Sequence, residues 1–202
     1  MTGIGIIPVF PLSAVVFPGE ELLLHIFEPR YKQLIIEQRD AGGSFGIPFV
    51  QGKNVKELGV EVRLKTIYQV HPEGEMDIAV QGLGVFELDE IFNTEERLYS
   101  YGRIWRRNAE LDRDLETHLQ AMRPLLEQFL SLKSGEVIQL PHTQPESLYA
   151  AATLLNLHPN RKYDMLQQET PEQRFRWLQN EIKLLIGVRQ MELKLQKNYL
   201  MN

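Results

Sequence analysis

The stretch Pro8–Tyr31, PVFPLSAVVFPGEELLLHIFEPRY, decides the fold. It holds apolar runs joined by a turn, and it ends where a helix begins. Val9-Phe10 and Val15-Val16-Phe17 are β-branched and aromatic, the composition of strands. Phe17-Pro18-Gly19 is a turn signal with a mechanism. Proline presets φ at the second position of a type II turn, and glycine supplies the positive φ at the third. Leu22 to Phe27 is a nearly unbroken apolar run and predicts a strand covered on both faces. Glu28-Pro29-Arg30-Tyr31 closes it. Proline at a first helical position gives up a donor that the helix leaves unused, so Pro29 predicts a helix running to Asp40.

Outward from this stretch, residues 1–107 read mostly as strand. Ala41-Gly42-Gly43 stops the helix, and Phe45 to Val50 predicts the next strand. Val60, Val62, Leu64 and Thr66 alternate with Glu61, Arg63 and Lys65, a half-buried strand pattern. His71-Pro72-Glu73-Gly74-Glu75 is a turn, with a returning strand from Met76 to Glu87. Gln81-Gly82-Leu83-Gly84 inside it predicts a bulge or bend. Val85 to Ile91 and Leu98 to Trp105 continue the sheet. Short strands with turn signals and one helix suggest a small barrel or sandwich.

From Asn108 the period becomes helical. Leu111, Leu115, Leu119, Met122, Leu126 and Phe129 form one stripe, and Ser134-Gly135 ends it. Ser147 to Leu155 predicts a short helix, and His158-Pro159 starts another that runs through Leu166. Thr170-Pro171-Glu172-Gln173 combines a threonine cap, proline at the first helical position and a capping-box glutamine. The last helix then spans roughly 45 Å at about 1.5 Å per residue. Its early stripe is Phe175, Leu178, Ile182 and Leu185. Beyond Gly187 a second stripe, Val188, Met191, Leu195 and Tyr199, is a candidate partner surface for self-association or for a bridged protein. The expected domains are residues 1–107, β-rich, and 108–202, helical.

The chain has 202 residues, enough to bury roughly 70% of its extended surface without staples. It lacks cysteine, which excludes disulfides, thiolate metal sites and cysteine nucleophiles. A net charge of −5 argues against broad electrostatic binding of nucleic acid or anionic membrane. The amino-terminal residues carry no lysine or arginine and are interrupted by prolines, so no signal peptide is expected. No apolar run approaches the ~18 residues of a membrane span. A cytoplasmic protein with no membrane partner is predicted.

Pro8, Phe10-Pro11-Leu12, Val15-Val16-Phe17-Pro18-Gly19, Leu22, Leu24 and Ile26-Phe27-Glu28-Pro29-Arg30-Tyr31 carry a family resemblance. Together they resemble the start of the amino-terminal, substrate-recognition domain of the ATP-dependent Lon proteases, here as a free-standing copy. The resemblance implies an α+β fold, with a PUA-like β pseudobarrel followed by a carboxy-terminal helical bundle. Gly59-Val60-Glu61-Val62 and Gly82-Leu83-Gly84-Val85-Phe86 match its later strands. It also implies a role linked to protein degradation, the recognition of unfolded or specific polypeptides on behalf of a protease. In Lon proteases a long helix leaves this domain toward the ATPase. Candidate peptide contacts are Phe17, Pro18, His25, Phe27, Glu28, Arg30 and Tyr31. For Glu28 and Arg30 a structural role beside the helix start weighs more than a ligand contact.

No G-x-x-x-x-G-K-[ST] motif occurs, so the P-loop of the Lon ATPase is absent, as is its serine-lysine protease. A non-catalytic chain is expected, although a family label can still read peptidase. Gly42-Gly43-Ser44-Phe45-Gly46 fits G-x-S-x-G formally. A nucleophile elbow needs a strand before the serine and a helix after it, and the order here is reversed. His25, His71, His118, His142 and His158 show no metal-ligand spacing, and neither a metal nor a cofactor is expected. His25 reads as a packed ring in an apolar strand. Tyr99, Tyr101, Arg103, Trp105 and Arg107 share a strand face, and Arg103, Trp105 and Arg107 form an alternative RNA-binding site. The acidic balance of the chain weighs against it.

Overall fold

The turn at Phe17–Glu20 forms as its residues dictate. Glu20 N–H donates to the Phe17 carbonyl at 3.0 Å, and Gly19 takes a φ of 85°. The turn then lies directly on Gly82. Gly19 N–H donates to the Gly82 carbonyl and Gly82 N–H to the Glu20 carbonyl, each at 2.9 Å. A side chain at position 82 would place its Cβ 2.1 Å from the Phe17 oxygen. Only glycine permits that approach.

The computed structural model describes residues 3–108 and 112–200, with side chains to 198. The strands are β1 (Ile4–Val9), β2 (Glu21–Ile26), β3 (Ser44–Gln51), β4 (Asn54–Val70), β5 (Met76–Phe92) and β6 (Ser100–Arg106). The helices are α1 (Pro29–Ala41), α2 (Leu115–Ser134), α3 (Leu148–Thr153), α4 (Pro159–Leu166) and α5 (Pro171–Leu200). The sheet order is β2-β5-β4-β3-β1-β6, and β6 also pairs with β5. That extra pairing closes β5, β4, β3, β1 and β6 into a ring. All pairs are antiparallel except β1 with β3.

Strand β5 serves two neighbours. Its first part, Met76–Gln81, pairs with β2, and its later part, Phe86–Phe92, pairs with β6. The change of partner falls at the predicted bulge. Gly82 pairs with Val62 and Gly84 with Glu61, which leaves Leu83 as the extra residue. Ile7, Val9, Phe86 and Ile104 fill the barrel interior there.

Two expectations for the opening stretch are corrected. Val15-Val16-Phe17, read as a strand, is buried but forms no strand. Its neighbour Leu12 makes only a single bridge to Phe49, and Phe17 N–H is satisfied by the Glu20 carboxylate at 2.8 Å. Strand β2 is not covered on both faces. It lies at the sheet edge, with Leu22, Leu24 and Ile26 turned inward and Glu21, Leu23 and His25 exposed. The near-continuous apolar run hid an alternating strand, because Leu23 is apolar yet points outward.

Contacts divide the chain into two units, Met1–Ala109 with His158–Gln167, and Glu110–Leu157 with Gln168–Asn202. The first unit therefore contains α4, which sequence boundaries of 1–107 and 108–202 assign to the helical part. Tyr163 on α4 accepts a hydrogen bond from Leu58 N–H at 3.4 Å and packs its ring 5.2 Å from Phe49. Lys162 pairs with Glu20 at the turn, with both side chains less than 15% exposed. The second unit packs α2, α3 and α5 together. Met122, Leu126 and Phe129 of α2 and Leu178, Ile182 and Ile186 of α5 supply its core. The capping box forms, with Gln173 N–H on Thr170 Oγ1 and Thr170 N–H on Gln173 Oε1. Leu111, the first residue of the predicted α2 stripe, lies outside the described residues.

Three substitutions test this frame. Gly82→Ala forces Cβ against backbone and should cost about 1–3 kcal/mol in urea unfolding. Gly84→Ala, with nothing within 4 Å, should change stability by under about 0.5 kcal/mol. Lys162→Ala strands the Glu20 carboxylate in a nearly dry site and should cost about 3 kcal/mol in the same assay.

Candidate functional site

The outward row of β2 forms the candidate site. Glu21, Leu23 and His25 alternate outward along the strand and Phe27 follows them, because successive strand side chains point to opposite faces. Leu23 is 69% exposed and Phe27 58%. Glu21 pairs with Lys65 on β4. His25 and Phe27 stack with ring centres 6.2 Å apart. Among the described residues, no strand pairs with the far edge of β2. Such an edge leaves backbone donors and acceptors free for another extended segment.

His25 is not a packed ring. Its Nδ1 lies 2.7 Å from Asp77 Oδ1, directly across the β2–β5 register, and its Nε2 lies 3.3 Å from Glu75 Oε2. His71 Nε2 approaches the other Asp77 oxygen at 2.6 Å. The hydrogen bond to Asp77 raises the His25 pKa above its ordinary value, against a smaller opposing effect of desolvation. The hydrogen bonds from His25 and His71 hold the Asp77 carboxyl below its own. Sequence spacing could not show this group, since the sheet register brings positions 25 and 77 together and the following turn adds 71.

The remaining expected contacts divide by burial. Phe17 is fully buried, and Tyr31 is buried by stacking on Phe10 at 3.7 Å. Burial raises the Tyr31 pKa. Pro18 is half-buried in the turn. Glu28 occupies the cap position of α1 without capping it and instead accepts from Arg30 Nε at 2.9 Å. The Arg30 guanidinium also lies 4.5 Å over the Tyr31 ring. His25, Phe27 and Arg30 thus remain accessible, while Phe17 and Tyr31 hold the core beneath them.

On β6, Arg103 pairs with Asp89 and Glu90, and Arg107 with Glu87. Trp105 stands half-buried opposite the exposed Ile4. The arginines that would meet phosphates therefore already face carboxylates. Tyr99 is buried and donates to Glu37 at 2.6 Å; burial, then that hydrogen bond, pushes its pKa up. Nearby, Ile6, Phe92, Tyr101, Arg97 and residues Thr94 to Glu96 line an open hollow of about 560 Å³. On α5, Leu184, Val188, Met191 and Leu195 are exposed along one stripe; the side chain of Tyr199 lies outside the described residues.

Ser44 is no exposed nucleophile. Gly42 ends α1 in a left-handed conformation, and Ser44 opens β3 with its Oγ donating to Glu61 Oε1 at 2.6 Å. Arg106 donates to both oxygens of the same carboxylate, at 2.7 and 3.0 Å. No helix among the described residues is long and apolar enough to cross a membrane.

A six-stranded sheet with a long carboxy-terminal helix places the chain in the mixed α+β class. The family described as ATP-dependent protease La (LON) substrate-binding domain matches residues 6–183, and the chain belongs to it. The structure is similar to a Lon N-terminal domain protein from Xanthomonas campestris, with TM-score 0.68 and 24% identity. That match covers 86% of this chain and 96% of the other. It is also similar to the N-terminal domain of a Mycobacterium avium complex Lon protease, with TM-score 0.54 and 12% identity over 92% and 98% of the two chains. No curated protein matches the chain.

The Glu61 site predicts an acid response. Burial pushes its pKa up, but the hydrogen bonds from Arg106 and Ser44 outweigh that and leave it below the ordinary 4.5. A depressed folded pKa stabilises fully above the unfolded value and is lost as pH falls through the folded one. Urea unfolding across a pH series should therefore show wild type losing stability below about pH 4.5 more steeply than Glu61→Gln.

Proposed function

We propose that this chain is a non-catalytic polypeptide-recognition module serving protein degradation, and that it takes an extended apolar segment along the free edge of β2. Membership in a substrate-binding family supports the class of ligand. One observation carries the location, an edge strand that presents Leu23 and Phe27 to solvent while its inner row is packed. Strand addition uses main-chain hydrogen bonds for affinity and alternate side chains for selection. It suits a ligand defined by exposed hydrophobicity rather than by sequence. Covering the exposed parts of Leu23 and Phe27 contributes about 1–2 kcal/mol each.

Fluorescence anisotropy with a labelled, permanently unfolded polypeptide tests the reading. The double variant Leu23→Asp, Phe27→Ser should bind at least about tenfold more weakly, equivalent to ~1.4 kcal/mol, with an unchanged melting temperature. A chain shortened to end at Gly187 should bind as wild type. Equal binding by the double variant overturns the edge site. If binding falls instead with Ile6→Asp, it resides at the hollow beside β6. If it falls with the shortened chain, recognition belongs to the exposed α5 stripe.

A further inference from the structure

We propose that His25, His71 and Asp77 form a binding site for a divalent first-row transition-metal cation, best suited to Zn²⁺. The donor set supports it first. Two imidazole nitrogens and a carboxylate oxygen, His25 Nδ1, His71 Nε2 and Asp77, lie within 4.8 Å of one another. Two histidines and one carboxylate form an open site that water can complete, and zinc accepts this combination in tetrahedral geometry. Zinc bonds of about 2.0–2.2 Å would set neighbouring donors roughly 3.3 Å apart. The two His–Asp separations are 2.7 and 2.6 Å, the spacing of a shared proton. Small side-chain rotations would open them to the metal spacing.

The outer partners are the second argument. A metal-binding histidine usually has its other ring nitrogen fixed by a neighbouring acceptor, which sets the tautomer. His25 Nε2 faces Glu75 at 3.3 Å, which leaves Nδ1 as the lone-pair donor. His71 Nδ1 lies 3.5 Å from the Gln69 amide, whose oxygen could occupy that position after a flip.

The third argument is the scaffold. His25 and Asp77 are paired across β2 and β5. His71 sits in the β4–β5 turn, where its N–H donates to the Glu75 carbonyl at 2.8 Å and its carbonyl accepts from Gly74 N–H at 2.9 Å. Two ligands thus stand on a register-fixed strand pair and the third on a hydrogen-bonded turn. The nearby ammonium of Lys32 is engaged by the Glu73 carbonyl, while Glu75 adds negative charge beside the donors. All three ligand side chains are partly open to solvent, so a hydrated cation can enter.

This site does not depend on the polypeptide reading, and its test contains no polypeptide. Isothermal titration of the tag-free chain with Zn²⁺ should give one ion per chain. His71→Ala and Asp77→Asn should each weaken binding by about tenfold or more, whereas His142→Ala, at an exposed loop position, should not. Should either variant fail to fold, NMR of wild type with Co²⁺ decides. Paramagnetic shifts that are largest at the rings of His25 and His71 and decay with distance from them support the site. No stoichiometric binding, equal binding by His71→Ala, or shifts at His118 or His158 instead would overturn it and leave a proton-sharing His–Asp–His ladder.

Discussion

The first unit depends on the contact between the Phe17–Glu20 turn and Gly82. Two backbone hydrogen bonds join them, and no side chain can intervene. The contact lies where β5 stops pairing with β2 and bends toward β6. It therefore fixes where β2 begins and which half of β5 receives it. A slip of one residue would exchange the inner and outer rows of β2. Leu22, Leu24 and Ile26 would then face water, and Leu23 and His25 the core.

Glu20 extends that control beyond the backbone. One carboxylate oxygen holds Phe17 N–H and the other holds Lys162. The Lys162 ammonium also lies 5.1 Å over the Phe17 ring. The Glu20–Lys162 pair thus closes the turn, caps a buried aromatic residue and anchors α4. Such a pair has little surplus energy over its desolvation cost, but losing one partner is expensive. It specifies an arrangement more than it stabilises one.

Much of this was legible in the residues. Pro18-Gly19 gave the turn, Pro29 the start of α1, Gly42 its end, and Thr170-Pro171-Gln173 the start of α5, because each feature is local chemistry. The bulge at Gly82–Gly84 was equally visible. The exposure of β2 was not, since LLLHIF reads the same at an edge as in the centre of a sheet, and only strand order separates the two. The His25–Asp77–His71 group was invisible for a related reason. Its members meet through register and a turn, not through any spacing along one element. The burial of Phe17 and Tyr31, which removes them from the accessible surface, likewise depends on Phe10 and the turn packing above them.

The placement of α4 has a further consequence for how the protein is made. The chain leaves the first unit near residue 109, returns at 158, and leaves again after 167. A ribosome therefore completes every strand of the barrel long before it delivers Lys162 and Tyr163. Until then Glu20 lacks its cation and Phe49 its aromatic neighbour. The barrel must wait through about fifty intervening residues for its final piece. Neither unit can be cut out at a single point in the chain, so any genetic rearrangement that shuffles the barrel must carry the first helices of the bundle with it.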